Sequence, residues 1–240
     1  MTTAILSALA EEQHGLLDLL LQPQKISHAG RDFWQGDLHG QPVVLALSRV
    51  GKVAAATTAT ALIERFGVSR MVFTGVAGGM GPGVNVGDVV VAADFVQHDL
   101  DASPLFPRYE VPLYGQTRFA CDTALTTRLL AATHAALALT PTGTRIHQGL
   151  IASGDRFVSA AAESGALQAA LSSAGHEVLA VEMEGAAVAQ VCFDYGVPFA
   201  AVRTISDRAD DQAHVDFQAF VVEVASHYAR VIIERLLKSL

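Results

Sequence analysis

Between Val181 and Asp207 the chain alternates strand and helix signals so closely that a layered α/β arrangement is the fold that accommodates it. Val181 and Glu182 close an apolar run, Gly185 opens an alanine-rich run to Val191, and Gly196-Val197-Pro198 breaks it. Phe199 to Val202 is apolar again and leads into Arg203-Thr204-Ile205-Ser206-Asp207. Runs too apolar to alternate belong to strands covered on both faces. Acids stand where these elements change: Glu182 and Glu184 at a strand-to-helix junction, Asp207 at the end of the next strand. Ligands of open α/β sheets collect at strand ends. A single acid there is accounted for by the dipole of the helix it starts. Two brought together by neighbouring strands form an acid pair suited to glycosidic cleavage, one protonating the leaving group and another holding the sugar.

The rest of the chain continues the alternation. Residues 3–9 read as a buried strand, and Leu16, Leu19 and Leu20 have helical spacing, which places Ala10-Glu11-Glu12 at a junction. Residues 32–38 and 42–48 read as two strands joined by the turn Leu38-His39-Gly40-Gln41. Gly51 opens an alanine- and threonine-rich helix ending near Gly67, and the strand Met71 to Thr74 follows. It runs into Gly75 to Gly83, five glycines in nine residues, read as a turn that brings backbone amides close to a ligand. Val86-Gly87-Asp88 turns into the strand Val89 to Val96, and the loop from His98 to Gly115 is long enough to suspect function. A helix over 122–138, a strand over 145–151, a strand-end loop Ser153 to Phe157 and a helix start near Ser159 and Glu163 come next. The segment 214–238 has the periodicity of a packed terminal helix. One α/β domain over residues 1–240 is expected, its sheet largely parallel with antiparallel pairing around 32–48.

Composition narrows the function. A chain of 240 residues, 51% hydrophobic, suffices for one large core. Its net charge of −8 without a basic run argues against nucleic-acid binding. No apolar run reaches the roughly 20 residues of a membrane helix, and Met1 to Leu6 reads as a first strand rather than a signal peptide. Cys121 and Cys192 are too few for a disulfide framework and match no zinc pattern, so a cytoplasmic setting is expected. No cluster calls for a metal or an organic cofactor. Glu11, His14 and His214 read as surface residues, and His98 as either a loop histidine or a site residue.

Eight separate stretches, in order along the chain, carry a resemblance. They are Ala10-Glu11-Glu12, Gly51-Lys52-Val53-Ala54-Ala55-Ala56, Thr74-Gly75-Val76-Ala77-Gly78-Gly79, Val86-Gly87-Asp88, His98-Asp99, Ser153-Gly154-Asp155, Val181-Glu182-Met183-Glu184 and Ile205-Ser206-Asp207. Together they resemble the nucleoside phosphorylase/hydrolase superfamily, and more narrowly the 5′-methylthioadenosine/S-adenosylhomocysteine nucleosidases. The resemblance implies a single-domain, three-layer αβα fold around a central mixed, largely parallel sheet. It also implies hydrolysis of an adenine nucleoside in methionine salvage, releasing adenine and a 5′-thio-substituted ribose.

Site roles follow from the same resemblance. Asp207, beside Ser206, would protonate the purine at N7, and Glu12 would hold and activate water. Glu184, with Glu182 beside it and Arg203 as a charge partner, would accept the ribose hydroxyls, and Met183 would pack on the sugar. Phe157 would stack on adenine and Val158 would bind it through the main chain. Val76, Ala77 and Gly78 would approach sugar and base with their backbone, and Phe217 would wall the pocket. The resemblance further implies a homodimer in which Leu105 or Phe106 of the neighbouring subunit closes the 5′-substituent pocket.

Two residues depart from the family pattern: Val76 stands where a serine is usual, and Arg49 where a small residue is usual. Arg49 would meet phosphate in a purine nucleoside phosphorylase, or else make a surface salt bridge. Glu12, a carboxylate that would repel phosphate, favours water as nucleophile. The phosphorylase and a non-catalytic nucleoside-binding protein remain as alternatives.

Overall fold

In the computed structural model, which describes residues 1–13, 15–138, 143–209, 220 and 224–240, the central strands face two apolar layers. In β1 (Thr3–Ser7) Ala4 and Leu6 join one cluster and Ile5 the other. The same period of two recurs in β4 (Gln41–Leu47), where Val44 and Ala46 oppose Val43 and Leu45. It recurs again in β5 (Arg70–Gly79), with Met71 and Phe73 against Val72, and in β10 (Phe199–Asp207), with Phe199 and Ala201 against Ala200 and Val202. Helices α1 (Lys52–Glu64) and α4 (Gly185–Tyr195) cover the first face. Helices α2 (Thr123–Leu137) and α5 (Ser226–Leu237) cover the second. Both faces are dry, which is why these strands read as continuous apolar runs.

The remaining strands are β2 (Leu21–His28), β3 (Arg31–Leu38), β6 (Val89–Gln97), β7 (Arg118–Ala120), β8 (Ile146–Ser153) and β9 (Val178–Glu182), with helix α3 (Ala161–Ser173) between the last two. Among the described residues they form one ten-stranded sheet in the order β10-β6-β8-β9-β5-β1-β4-β3-β2, with β7 on β6. Because β10 also pairs with β5, the strands β5, β9, β8, β6 and β10 close into a ring. The sheet is mixed: β1 runs parallel to β4 and β5, β10 to β5, and β8 to β6 and β9. Antiparallel pairing occurs at the expected hairpin of β3 and β4, and also at β2–β3, β10–β6, β5–β9 and β6–β7.

Several local expectations change. Leu16 to Leu20 form no α-helix; two short 3-10 turns, Glu11–Gln13 and Leu17–Leu19, hold this segment. Gly75 to Gly79 are strand rather than turn. Ser159 caps nothing, because the residue that caps α3 is Ala160 and no side chain serves. Of the terminal segment, Ser226–Leu237 is helix; residues 214–219 and 221–223 lie outside the described residues, as do His14, His214 and Phe217. Cys121 and Cys192 are buried free thiols. No helix among the described residues is long and apolar enough to cross a membrane.

Candidate active site

The carboxyl ends of β1, β5, β8, β9 and β10 converge on a cavity of about 460 Å³. Its wall includes Glu12, Val76, Ala77, Gly78, Phe157, Val158, Glu182, Met183, Glu184, Ser206 and Asp207. Residues separated by almost the whole chain thus meet at strand ends, where parallel strands leave backbone free to receive a ligand.

Glu12 is buried in the turn that follows β1. Its Oε2 accepts the N–H groups of Ala8 and Leu9 at 2.7 and 2.9 Å, and its Oε1 accepts that of Val76 at 3.1 Å. Burial nevertheless holds its carboxyl above the ordinary range. A Cβ on Gly75 would come within 2.9 Å of Glu12 Oε1, so the glycine is what lets the carboxylate settle against β5.

Asp207 ends β10, where the register against β5 shifts between Ile205 and Asp207. A regular pleat would send Ser206 and Asp207 to opposite faces; the irregularity lets both line the cavity. Ser206 Oγ donates to Asp207 Oδ2 at 2.7 Å, and the Ala209 N–H donates to Oδ1 at 2.8 Å. Gly78 leaves room for this carboxyl as well, since a Cβ there would lie 2.9 Å from Oδ1.

Glu184 stands at the head of α4 and accepts the Gly51 N–H at 2.8 Å. Burial, with the neighbouring Glu182 charge adding to it, pushes its carboxyl up to about 8. The Arg203 charge works against that shift, as a nearby charge partner of Glu184 would, but Arg203 does not line the cavity and its ion pair is with Glu182. It lies buried behind the wall, its Nη2 2.8 Å from Glu182 Oε2, its Nη1 donating to the Phe73 carbonyl at 3.1 Å, and its guanidinium 4.1 Å above the Phe73 ring.

Other expected residues divide clearly. Phe157 is 46% exposed at the rim and Val158 is buried. The Val76 N–H is committed to Glu12, so this backbone group does not await a sugar. Leu105 is exposed and Phe106 half-buried, and neither lines the cavity of its own chain. Phe217 lies outside the described residues. His98 is not a cavity residue; it packs over Gly154, and burial lowers the pKa of its ring. Arg49 lines a separate cavity of about 320 Å³ and donates to the Gly30 carbonyl, so it neither faces the acids nor forms the expected salt bridge among the described residues. Sequence reasoning missed Ala8, Leu9, Val50 and Arg156 in the wall. Leu9, Val50 and Arg156 each neighbour a residue already singled out, and that adjacency was the available signal; Ala8 fell within the strand read over residues 3–9.

The arrangement offers one carboxyl presented by a serine, a second held by three backbone amides and a third with one oxygen that no hydrogen bond among the described residues occupies, in a chamber whose wall is otherwise mostly apolar. That set suits protonation of a leaving group on one side of a sugar and delivery of water on another. A family model described as "Phosphorylase superfamily" matches residues 2–238. A 5′-methylthioadenosine/S-adenosylhomocysteine nucleosidase of Anoxybacillus flavithermus is 34% identical over 232 residues, 97% of this chain and 96% of that one. The crystal structure of the nucleosidase of that name from Neisseria meningitidis, in complex with methylthio-immucillin-A, superposes with a TM-score of 0.90 at 35% identity, covering 100% of this chain and 99% of the other. Futalosine hydrolase of Helicobacter pylori superposes with a TM-score of 0.87 at 32% identity, covering 100% and 98%. On these grounds the chain belongs to the phosphorylase superfamily and, within it, to the 5′-methylthioadenosine/S-adenosylhomocysteine nucleosidases.

Proposed function

We propose that the cavity hydrolyses the N-glycosidic bond of 5′-methylthioadenosine and S-adenosylhomocysteine, releasing adenine and a 5′-thio-substituted ribose. The observation that carries this reading is the meeting of Glu12, Glu184 and Asp207 from three strand ends in one buried chamber. Bond cleavage develops positive charge on the ribose and negative charge on the departing purine, and the three acids answer those demands separately. Asp207 delivers a proton to N7, and the Ser206 hydroxyl, which donates to Asp207 Oδ2 at 2.7 Å, stabilises the carboxylate left behind. Glu184 accepts the ribose hydroxyls through the oxygen that Gly51 does not occupy. Glu12, anchored by three amides, takes the proton of the attacking water. Phe157 covers the base, Val158 meets its edge, Met183 packs on the sugar, and Ala77 and Gly78 form the floor beneath them.

Water rather than phosphate suits this chamber. A phosphate dianion would face the Glu12 carboxylate, while Arg49 lies elsewhere and Arg203 is committed to Glu182. Incubation with 5′-methylthioadenosine in phosphate-free buffer tests the assignment. Free adenine and methylthioribose are expected; a sugar 1-phosphate formed only when phosphate is added would identify a phosphorylase.

A homodimer completes the proposal. Val53 on α1, Phe193 on α4 and Leu105 and Leu113 in the loop between β6 and β7 are 78%, 57%, 84% and 91% exposed, apolar surface that a second copy would cover. Leu105 or Phe106 of that copy would then close the 5′-substituent end. Free buried thiols at Cys121 and Cys192 suit a cytoplasmic setting. Phe193→Asp is expected to shift the protein toward monomer in sedimentation and to raise KM; an unchanged dimer would place the interface elsewhere.

A further inference from the structure

We infer that Glu182 is a positioning residue: it touches no substrate and instead fixes the ribose-facing Glu184 by clamping the β9–α4 junction to Arg203 and Ser153. The inference rests on the reading of Glu184 as the ribose acceptor. Glu182 lines the cavity, which makes it a natural candidate for substrate contact, but its acceptor capacity is already used. Its oxygens receive Arg203 Nη2 at 2.8 Å, the Gly185 N–H at 3.0 and 2.9 Å, the Glu184 N–H at 3.3 Å, and the hydroxyl of Ser153. A carboxylate has about four lone-pair sites, so little remains for a sugar hydroxyl. Glu184 presents the opposite picture, with one hydrogen bond, from Gly51, among the described residues.

The clamp ties three strands together at the point where Glu184 departs. Ser153 ends β8 and also accepts the Ala186 N–H at 2.7 Å, so the first turn of α4 is gripped from two directions. Arg203 comes from β10 and is stacked on Phe73 of β5. The groups facing Glu184 are Glu182 at the end of β9, Arg203 on β10, Glu12 in the turn after β1, and the Gly51 N–H ahead of α1. Glu182 therefore acts on Glu184 in two ways: it sets the backbone from which the side chain hangs, and its negative charge opposes loss of the Glu184 proton.

A double-mutant cycle over pH 5 to 9 tests this, with kcat and KM for 5′-methylthioadenosine and thermal unfolding measured on Glu182→Gln, Glu184→Gln and the double variant. Glu182→Gln is expected to raise KM about tenfold with a smaller change in kcat, as displacement of a binding group by a fraction of an ångström does. Its acid-side rise in KM should move to lower pH, because the like charge beside Glu184 is gone. In the Glu184→Gln background the same substitution should add almost nothing. Losses that multiply, or a pH profile in Glu182→Gln that overlays the wild type, would overturn the inference. Wild-type kinetics in Glu184→Gln would instead overturn the reading of the site, and this inference with it. If Glu182→Gln does not fold, Ser153→Ala, which keeps both charges of the buried pair, enters the same cycle. It should raise KM about threefold in the wild-type background, the low end of the net worth of one hydrogen bond, and leave the Glu184→Gln background unchanged; equal effects in both would overturn the proposal.

Discussion

Glu184 holds its proton to about 8 when folded, against an ordinary value near 4.5, because burial and the Glu182 charge outweigh the Gly51 amide and the more distant Arg203. Between those two values the folded state binds more protons than the unfolded one. The favourable contribution of this residue is therefore complete below about 4.5 and lost as pH rises to about 8. Glu12 is shifted in the same direction by burial and adds to the trend. Glu184→Gln removes the penalty of a buried charge, and its unfolding free energy should exceed that of the wild type at pH 8 but not at pH 5, by an amount on the order of 1–3 kcal/mol. A difference that stays constant with pH would contradict the assignment. The Gly75 contact makes a separate prediction. An added Cβ at 2.9 Å from Glu12 Oε1 must push the carboxylate off its three amides, so Gly75→Ala should cut kcat about tenfold or more while leaving the protein folded. Retained wild-type turnover with intact Glu12 geometry would contradict it.

At the scale of elements, the two cores respond to truncation independently of the chemistry. Ile232 on α5 is fully enclosed between that helix and the sheet, and Ile232→Ala should lower stability by about 2–5 kcal/mol with kcat unchanged. Denaturant unfolding and steady-state rates measured on one sample check both halves. The elements that bear the site were legible because their signals are local: an apolar run, a break, and an acid at the junction, as at Glu182, Glu184 and Asp207. Strand β2 was not, since Gln22, Pro23, Gln24 and Lys25 are exposed on a strand at the sheet edge, where burial leaves no pattern and proline is tolerated. The segment Gly75 to Gly79 was read as part of a turn whose glycines bring backbone amides close to a ligand. Their use is room for Glu12 and Asp207, a demand made by residues far away in sequence. That Arg203 pairs directly with Glu182 and reaches Glu184 only as a nearby charge was illegible for the same reason: nothing along the chain tells Glu182 from Glu184, and only the closing of β10 against β5 decides which one the guanidinium meets.

For the whole molecule, the ring closure of β5, β9, β8, β6 and β10 is the feature that turns scattered acids into a chamber, because it brings the end of β9 beside the ends of β5 and β10. A flat sheet in the same chain order would leave Glu184 remote from Asp207. The chamber alone would also serve a protein that merely binds nucleosides, and what separates the two cases is the proton at Asp207. Turnover and affinity for 5′-methylthioadenosine, measured side by side in the wild type and in Asp207→Asn, test this most directly. The account predicts that the variant keeps nucleoside binding while kcat falls by about 10²-fold or more, the scale of general acid catalysis. A variant that turns over as fast as the wild type, or one whose loss is confined to binding, would contradict it.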